Sequence, residues 1–428
     1  FVDRQEKELL VRDFIISNIK EVMIKYGFQY LETPSFEYSD SIGKFLPDKD
    51  RPDEGVFSFK DENKWLSLRY DLTAPLARYV AKNYLEIPKP FKRYQLGIVW
   101  RNEKPGPGRF REFLQFDADF VGTKSLQADA ELCVMISEIL EKCGLIKSEY
   151  IIKISSRKIT EELFKKLNIK DNQQMLTALR ALDKIDRLGW DAVKELLSVG
   201  RKDKSGDFTK GANLKSKDIE VIEETLKKKL PETEDLIEIL KIFKDYNFDN
   251  FEFDPSIVRG LEYYTGAIFE VNLKFDVKNN KGQVIQFGSI GGGGRYDNLV
   301  NNFGNYDAPA TGISIGLDRL VYALMQKKEF KLKQSKPVVI CVFDKNSMKE
   351  YIKIQMILRK AGISAEIYPG EVKLKKQMEY ANKIKSPAVI LYGEDEIKSG
   401  KPTMRNLSSG KEQSIKINEL VNEIKKII

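Results

Sequence analysis

The densest group of residues able to do chemistry lies in residues 91–122. Two stretches typical of β-strands, residues 91–101 and 112–121, flank a turn rich in proline and glycine (residues 105–108), so the segment predicts a long β-hairpin. Alternate positions of the returning strand share one face, namely Arg109, Arg111, Phe113, Gln115, Asp117 and Asp119. Because burying so many charged and amide groups without a ligand is costly, the pattern favours a binding site over a solvated face.

The composition limits which chemistry this site performs. The 428 residues include no histidine, which excludes Ser-His-Asp and Cys-His catalysis and the H-E-x-x-H zinc site. Carboxylates, arginines, lysines or hydroxyls must carry the reaction instead. Three cysteines, Cys133, Cys143 and Cys341, form an odd set without C-x-x-C spacing. They support neither a disulfide framework nor a zinc ribbon, and they fit a reducing cytosol.

Hydropathy and charge describe a globular protein of two or three domains. The longest stretch without a charge, residues 282–294, is far shorter than the roughly 20 apolar residues that span a bilayer, so no membrane helix is expected. The first twenty residues have no export signal layout, and a cytoplasmic protein is expected. The net charge is +8, and residues 336–428 carry 18 basic and 11 acidic residues, or +7 of it. A basic terminal domain indicates a nucleic-acid partner, although lysine-rich solvated helix faces give the same count.

The elements that must position the hairpin follow from hydrophobic periodicity. An amphipathic helix is predicted over residues 6–26, and short strands over residues 28–33, 56–60, 65–69 and 150–155. Together with the hairpin strands they suggest an antiparallel sheet. Residues 127–143 and 317–326 read as helices, and residues 251–272 and 283–291 read as strands. Residues 157–250 form leucine-spaced helices, interrupted by a loop at residues 200–211, and indicate an inserted helical subdomain.

The last quarter of the chain shows a different pattern of predicted elements. A lysine-rich segment, residues 327–335, predicts a linker. Strands at 338–343, 364–368 and 388–392 then alternate with helices at 347–360 and 373–385, which predicts a small α/β domain over residues 336–428. The fold class expected is therefore an α+β core on an antiparallel sheet (residues 1–326) with a helical insertion, followed by a small α/β domain.

A run of four glycines, Gly291 to Gly294, invites a phosphate-loop interpretation. No Lys-Ser/Thr follows the run, and no third glycine falls where a dinucleotide fingerprint needs it, so both standard loops are excluded. Glycines beside a strand allow the close approach of either another strand or a ligand, and both explanations stay open.

Three segments resemble the motifs of the class II aminoacyl-tRNA synthetases. Motif 2 of that class places an Arg and then a Glu on the first hairpin strand and a Phe after the loop, here Arg101, Glu103 and Phe113. Residues 26–34 (YGFQYLETP) look like motif 1, which forms the dimer interface in the class. Residues 312–319 (GISIGLDR) look like motif 3, which ends in an arginine.

Two further segments narrow the resemblance to the histidyl-tRNA synthetase family. Residues 68–75 (LRYDLTAP) are similar to the segment that holds the α-amino group, and residues 259–266 (RGLEYYTG) to the histidine-specific signature. The C-terminal domain resembles the anticodon-binding domain that the histidyl, prolyl, threonyl and glycyl enzymes share. The resemblance therefore covers essentially the whole chain. It implies ATP-dependent ligation of L-histidine to tRNA(His) through a histidyl-adenylate.

The resemblance also implies roles at the nucleotide. Three arginines would be catalytic: Arg101, Arg259 and Arg319. Arg101 and Arg259 would hold the α-phosphate, and Arg109 and Arg319 would bind further out on the triphosphate. Phe113 would stack on adenine, with Glu103 near its exocyclic amine. Mg²⁺ is expected on the phosphates, without a dedicated metal site in the protein.

The same resemblance implies which residues bind the amino acid and the tRNA. The expected histidine-binding residues are Asp71, Thr73, Gln115, Asp119, Arg259, Tyr263 and Tyr264. Asp71, Thr73 and Gln115 would take the ammonium group, whereas Asp119 and Tyr264 would face the imidazole. Lys104 and Arg111, in the hairpin loop, would contact the tRNA acceptor stem. Motif 1 would form a homodimer.

Two alternatives share the fold. One is the non-catalytic paralogue that acts as the regulatory subunit of ATP phosphoribosyltransferase, which typically lacks the C-terminal domain and departs from the catalytic arginines. The other is an RNA-sensing module that has lost its chemistry. This chain retains the arginines at positions 101, 259 and 319 and also the C-terminal domain, which favours the ligase.

Overall fold

The computed structural model describes residues 1–39, 55–102, 104–203, 206–258, 264–327, 330, 336–370 and 372–428. The chain divides into two compact units, Phe1–Phe330 and Lys331–Ile428. Within the described ranges, no helix has both the length and the apolar character that crossing a bilayer requires.

The first unit combines helices with one large sheet. Its helices are α1 Glu6–Lys25, α2 Thr73–Lys82, α3 Leu126–Lys142, α4 Arg157–Lys166, α5 Asn172–Leu182, α6 Ile185–Leu188, α7 Trp190–Leu197, α8 Ser216–Leu226, α9 Glu234–Asp245, α10 Asn301–Gly304 and α11 Leu317–Leu324. Its strands are β1 Gln29–Tyr30, β2 Phe36–Tyr38, β3 Ser58–Asp61, β4 Lys64–Leu68, β5 Phe91–Trp100, β6 Glu112–Val121, β7 Tyr150–Ser156, β8 Gly200–Lys202, β9 Phe208–Lys210, β10 Phe251–Phe253, β11 Ala267–Leu273, β12 Val277–Lys278, β13 Val284–Ile285, β14 Gly291–Arg295 and β15 Ala310–Gly316.

Eight of these strands form the central sheet, in the order β1-β5-β6-β15-β14-β11-β7-β10. The pairings inside the sheet are antiparallel, and the two outermost strands, β1 and β10, pair in parallel with their neighbours. The predicted α+β core on an antiparallel sheet is therefore confirmed. The predicted hairpin is the β5–β6 pair, the second and third strands of this sheet.

One face of the sheet is apolar. Phe116, Ala118 and Phe120 of β6 alternate toward this face and are almost fully buried. Helix α11 packs on β6 and α3 packs on β15, while α1 contacts both helices. The hydrophobic positions of α1 recur at helical spacing (Val11, Ile15, Ile19, Val22 and Met23), so that one side of it is buried.

The opposite face, called here the site face, is polar and rich in glycine. Directly paired residues of antiparallel strands point to the same side of a sheet. The observed register therefore places on this face Arg93, Gln95, Gly97, Gln115, Asp117, Asp119, Gly292, Gly294, Gly312 and Ser314. The glycine run is itself the central strand β14, paired on both sides. Its glycines contribute no side chain to the site face, so the space above β14 on that face is left for other groups.

The helical insertion has its own core, to which Leu163, Leu179, Val193 and Ile222 contribute. The loop predicted at residues 200–211 is wrong in part, because β8 and β9 pair there as a short antiparallel hairpin. Their residues are largely exposed, so the segment lacks the buried apolar alternation that marks a strand in a sequence.

The second unit contains a five-stranded sheet with helices. Its elements are β16 Val338–Ile340, α12 Met348–Lys360, β17 Ala365–Ile367, α13 Leu374–Lys383, β18 Ala388–Leu391, α14 Glu394–Ser399, β19 Thr403–Asn406, β20 Glu412–Ser414 and α15 Leu420–Lys425. The strand order is β17-β16-β18-β19-β20. The first three strands are parallel, as the βαβαβ pattern predicts, and β19 and β20 extend the sheet antiparallel.

Most of the predicted linker, residues 327–335, lies outside the described residues. Its described residues, Lys327 and Phe330, belong to the first unit. Lys327 pairs with Glu149 at 2.5 Å and donates to the carbonyl of Gly144. The ring of Phe330 lies 5.8 Å from that of Phe14.

Candidate active site

A buried polar cluster occupies the site face where β5 begins and β6 ends. Arg93 Nη2 lies 2.9 Å from Asp119 Oδ2, and neither side chain is appreciably accessible. The hydroxyl of Tyr296 donates to Asp119 Oδ1, and Arg93 also donates to the carbonyl of Leu72 at 3.1 Å. Burial raises the pKa of Asp119, while the charge of Arg93 and the hydrogen bond from Tyr296 oppose that rise. Asp119 is therefore oriented by two partners from other strands and loops.

Glycines of the neighbouring strands make room for this cluster. Gly312 is the cross-strand partner of Asp119, and a Cβ atom at Gly312 would overlap the Asp119 carboxylate. Gly294 pairs with Gly312, and a Cβ at Gly294 would lie 3.2 Å from the Tyr264 ring. Tyr264 also packs against the apolar cluster that includes Tyr296. The structure thus brings the two predicted imidazole-binding residues, Asp119 and Tyr264, over adjacent glycines.

Asp117 lies one step further along the same face of β6. Gln115 Nε2 donates to Asp117 Oδ1 at 2.8 Å, and Thr73 Oγ1 lies 3.5 Å from Asp117 Oδ2. Burial raises the pKa of Asp117 to about 7, with the charge of Arg93 lowering it and that of Asp119 raising it. Two of the predicted ammonium-binding residues, Thr73 and Gln115, therefore converge on a third polar group.

Asp71 has a structural task at the start of α2. Its Oδ1 accepts the backbone N–H groups of Thr73 at 3.1 Å and Ala74 at 3.0 Å. These N–H groups are among those that a helix cannot satisfy internally at its N-terminus. Asp71 is thus close to the other predicted ammonium-binding residues, with one carboxylate oxygen used in capping.

The aromatic and cationic part of the site is built around Arg101, just after β5. Its guanidinium carbon lies 4.5 Å from the ring centroid of Tyr70 and 5.2 Å from that of Phe113. Arg101 Nε donates to the carbonyl of Tyr70 at 3.2 Å, and its Nη2 lies 3.5 Å from Gln115 Oε1. Arg101 and Phe113, predicted for the α-phosphate and for adenine, are therefore neighbours, and Gln115 joins them to the buried carboxylates.

Arg319, at the start of α11, is held by a different segment. Its Nε donates to the carbonyl of Ser289 at 2.8 Å and its Nη2 to that of Phe287, over whose ring the guanidinium carbon lies at 4.2 Å. The turn of the hairpin reaches the same place, because a Cβ at Gly108 would lie 3.1 Å from the Phe287 ring. Gly108 has a φ of +64°, which also favours glycine.

Asp318 fixes the position of α11 relative to the hairpin. Its Oδ2 accepts the backbone N–H of Leu114 at 2.7 Å, and its Oδ1 accepts Arg4 Nε at 2.8 Å. Since Leu114 follows Phe113 and Asp318 precedes Arg319, this buried carboxylate connects the segments that carry two predicted ATP-binding residues.

The hairpin loop is partly exposed. Lys104 and Arg109 are exposed and Arg111 is partly buried. The prediction that Arg109 and Arg111 lie on the returning strand is wrong, because β6 begins at Glu112. The backbones of Gly106 and Arg109 instead bond to each other in a tight turn. Three further predicted residues, Glu103, Arg259 and Tyr263, lie outside the described residues.

Two comparisons of sequence decide the family. Residues 1–320 match the family described as histidyl-tRNA synthetase. The chain belongs to the histidyl-tRNA synthetase family. Residues 337–427 match a family described as an anticodon-binding domain, in agreement with the resemblance noted for the C-terminal unit.

Relatives of the histidyl-tRNA synthetase family match along nearly the full length. The chain is 46% identical to the histidine–tRNA ligase of Bartonella quintana, over 98% of this chain and 90% of that protein. It is 45% identical to that of Rhizobium meliloti, over 98% of this chain and 89% of the relative. The crystal structure of histidyl-tRNA synthetase from a Nostoc species aligns with a TM-score of 0.77 and 26% identity, covering 100% of this chain and 98% of that one.

Three polar residues of the site were not assigned roles from the sequence: Arg93, Asp117 and Tyr296. A signal for the first was present, because Arg93, Gln95 and Gly97 occupy alternate positions of a strand whose other positions are mostly apolar. Asp117 shares the alternation of Gln115 and Asp119. Tyr296 gave no signal, since its partner Asp119 is 177 positions away in the sequence.

The arrangement suits a substrate with both positive and negative groups. Buried carboxylates at one end can bind a cation, and arginines with aromatic rings at the other can bind a nucleotide. Among the residues that the structure describes, no group of three or more Cys, Asp or Glu side chains could hold a metal ion.

Proposed function

We propose that this protein joins L-histidine to tRNA(His) in two steps, first forming histidyl-adenylate from histidine and ATP, then transferring the histidyl group to the terminal adenosine of the tRNA. The observation that carries the proposal is a chain of contacts along the site face. Gln115 donates to the buried carboxylate of Asp117 and contacts Arg101, whose guanidinium lies over the Phe113 ring. Family membership over residues 1–320 supports the same reaction.

In the first step the histidine carboxylate attacks the α-phosphate and pyrophosphate leaves. That carboxylate is already ionised at neutral pH, so this step needs no general base, and a protein without histidine side chains can carry it out. The step needs fixed positive charge around the phosphates. Arg101 and Arg259 supply it at the α-phosphate, and Arg109 and Arg319 on the rest of the triphosphate. Glu103 and Phe113 hold the adenine.

The amino-acid end of the site selects histidine. Asp119 and Tyr264 pair with the imidazole nitrogens, and Tyr263 and Arg259 complete the pocket. A polar pocket of this kind rejects apolar side chains strongly, because they would leave its buried groups unpaired.

The test of this function is exchange of labelled pyrophosphate into ATP. We expect exchange that depends on histidine, together with charging of tRNA(His). A protein that binds histidine or tRNA but supports neither reaction would instead be a non-catalytic paralogue or an RNA-sensing module.

The second step assigns tRNA binding to both units. Lys104 and Arg111 contact the acceptor stem, and residues 336–428 bind the anticodon region, where their charge of +7 supplies phosphate affinity. The unit has its own core, including Val338, Tyr351 and Leu420.

A chain ending at residue 330 separates these roles. Because the residues assigned to adenylation precede residue 327, we expect it to retain appreciable pyrophosphate exchange, to lose most tRNA charging and to bind tRNA with a shallower salt dependence. Unchanged charging and salt slope would mean that the basic surface is only solvated.

Two further assignments belong to the proposal. The protein acts as a homodimer through the motif 1 segment. In support, Tyr30 of that segment and Ile24 of the preceding helix α1 are exposed, and β1 lies at an edge of the sheet. Light scattering of the purified chain tests the dimer, and a monomeric mass would contradict it. The protein works in the cytoplasm, supported by three buried free thiols.

A further inference from the structure

Asp117 is a buried carboxylate to which neither the sequence nor the family comparison assigns a role. It is 2% exposed and lies on the site face between Gln115 and Asp119. A buried carboxylate is costly unless it is paired or binds a cation. The charge of Asp117 therefore requires a compensating partner or ligand.

The donors around Asp117 come from the residues predicted to bind an ammonium group. Gln115 Nε2 lies 2.8 Å from one carboxylate oxygen and Thr73 Oγ1 3.5 Å from the other. An ionised carboxylate has about four lone-pair positions. Each oxygen of Asp117 can therefore accept a further hydrogen bond at the same place where Thr73 and Gln115 meet.

Asp71 is less suited to be the main acceptor there. Its Oδ1 already accepts two backbone N–H groups at the start of α2. A capping carboxylate of this kind stabilises a helix by about 1 kcal/mol. Turning that oxygen toward a substrate would give up this stabilisation.

The charges of this region do not balance. Asp71, Asp117 and Asp119 are acidic, and two buried arginines act on them. Arg93 acts on both Asp117 and Asp119, and Arg69, whose guanidinium donates to the carbonyls of Thr33 and Ile98, acts on Asp117. Arg93 is already committed to Asp119 at 2.9 Å and to the carbonyl of Leu72. With all three carboxylates ionised and both arginines counted, the group has a net charge of −1, so a ligand with a positive charge is favoured.

We propose that Asp117 is a substrate-binding residue that accepts hydrogen bonds from the ammonium group of bound histidine, beside Thr73 and Gln115. The inference rests on the proposed function and names the group that recognises the α-amine. It separates two tasks on one strand. Asp117 takes the ammonium group and Asp119, held by Arg93 and Tyr296, takes the imidazole.

The test uses two histidine analogues as competitive inhibitors of pyrophosphate exchange. Histidinol keeps the ammonium group and the imidazole, whereas 3-(imidazol-4-yl)propionate lacks the amine. In Asp117→Asn we expect the histidine KM and the histidinol inhibition constant to rise about 30-fold, the range expected for a lost hydrogen bond between charged groups. The inhibition constant of the propionate and the KM for ATP should change less than twofold.

Asp235→Asn is a matched control. Asp235 is equally buried, accepts a hydrogen bond from Ser156 at 2.7 Å and lies in the helical insertion, outside the site. It should leave all four constants unchanged. An equal rise for both analogues in Asp117→Asn would overturn the assignment to the amine, and so would a strong effect of Asp71→Asn with none of Asp117→Asn.

A measurement on the unaltered protein keeps the proposal testable if the variant does not fold. The groups that act on Asp117 are Arg93 on β5, Asp119 and Gln115 on β6, Asp71 before α2, Thr73 on α2, Arg69 after β4 and Tyr296 after β14. Because its pKa is raised to about 7, binding an ammonium group near pH 7 should release protons. Calorimetry of histidinol in two buffers should show this release beyond that for the propionate, and equal values would contradict the proposal. Absence of histidine-dependent exchange in the unaltered protein would instead refute the proposed function.

Discussion

Strand β6 carries two binding regions with opposite physical character. At its C-terminal end, Asp117 and Asp119 are 2% exposed and contact side chains from other elements. At its N-terminal end, Phe113 and Arg101 are only partly buried, and the arginine is held by a ring and by the carbonyl of Tyr70. The first region keeps its charges out of water, and the second leaves them near it.

The difference indicates how each region acts. Desolvated charges discriminate strongly between ligands, because a wrong ligand leaves a buried group unpaired. Partly exposed arginines bind many anions, but they stabilise charge that develops on a phosphate during reaction. We expect changes at the carboxylate end to alter the KM for histidine and changes at the arginine end to alter kcat.

The largest effect is expected at the arginine end. Arg101→Ala should lower the rate of pyrophosphate exchange by a hundredfold to a thousandfold, as for loss of one fixed donor at a reacting centre. The KM for histidine should change little. Arg259→Ala should act in the same way. Steady-state exchange kinetics measure both constants.

Arg101→Lys is the control for charge without the planar guanidinium. A near-normal exchange rate in Arg101→Ala would remove this residue from the mechanism. A selective rise in the KM for histidine would erase the proposed division between the two ends of β6.

The next largest effect is expected at Asp119. Asp119→Ala should raise the KM for histidine by a factor on the order of 30 or more, since the imidazole loses a buried acceptor. The KM for ATP should stay within about twofold. Because the change also leaves Arg93 buried without its partner, the free energy of unfolding should fall by about 3 kcal/mol. Unchanged histidine affinity would mean that Asp119 serves the fold alone.

A smaller effect concerns pH. Asp117 has a pKa of about 7 in the free protein, and a bound ammonium group favours its ionised form. Histidinol should therefore bind about tenfold more weakly at pH 6 than at pH 8, because the ionised fraction of Asp117 is about tenfold smaller at pH 6. The ratio of inhibition constants for the unaltered protein and Asp117→Asn removes the titration of the ligand itself. A ratio that does not vary with pH would contradict the prediction.

The smallest effect is on stability. The raised pKa of Asp117 means that its contribution to folding is favourable below the ordinary pKa of 3.8 and is lost as the pH rises through about 7. Asp117→Asn should therefore raise Tm at pH 8 by on the order of 5 °C, and at pH 5.5 by about half as much, because the unfolded carboxyl is already ionised there. Thermal scans at both pH values measure this. A lower Tm at pH 8 would show that the charge of Asp117 stabilises the fold.

The two ends of β6 also differ in how far the sequence predicted them. Alternation along one strand was enough to place Phe113, Gln115 and Asp119 on one face, because the period of a strand is local. The capping role of Asp71 was missed, because the resemblance assigned its carboxylate to a ligand. The contacts of Arg93 and Tyr296 depend on strand order, which the spacing of residues on one strand does not encode.

The turn of the β5–β6 hairpin also differs from what the sequence predicted. Alternation extended through Arg109 and Arg111 predicted a longer strand than the structure has. The backbone instead closes between Gly106 and Arg109, and Gly108 takes a positive φ against Phe287. A tight turn beside another segment overrides the strand pattern, and this packing partner lies far along the chain.

The run of four glycines in β14 has a consequence for the order in which the strands fold. Each glycine loses more conformational entropy on folding than alanine, at about 0.5–1 kcal/mol per residue, so the run in β14 opposes its own ordering by about 2–4 kcal/mol. Its residues are paired on both sides, by β11 and β15. We expect β14 to order only after both neighbours have formed. Pulse-labelled hydrogen exchange during refolding should show the amides of Gly292 and Gly294 gaining protection later than those of β6. Simultaneous protection would contradict this order. Histidine would then bind only chains that have finished folding.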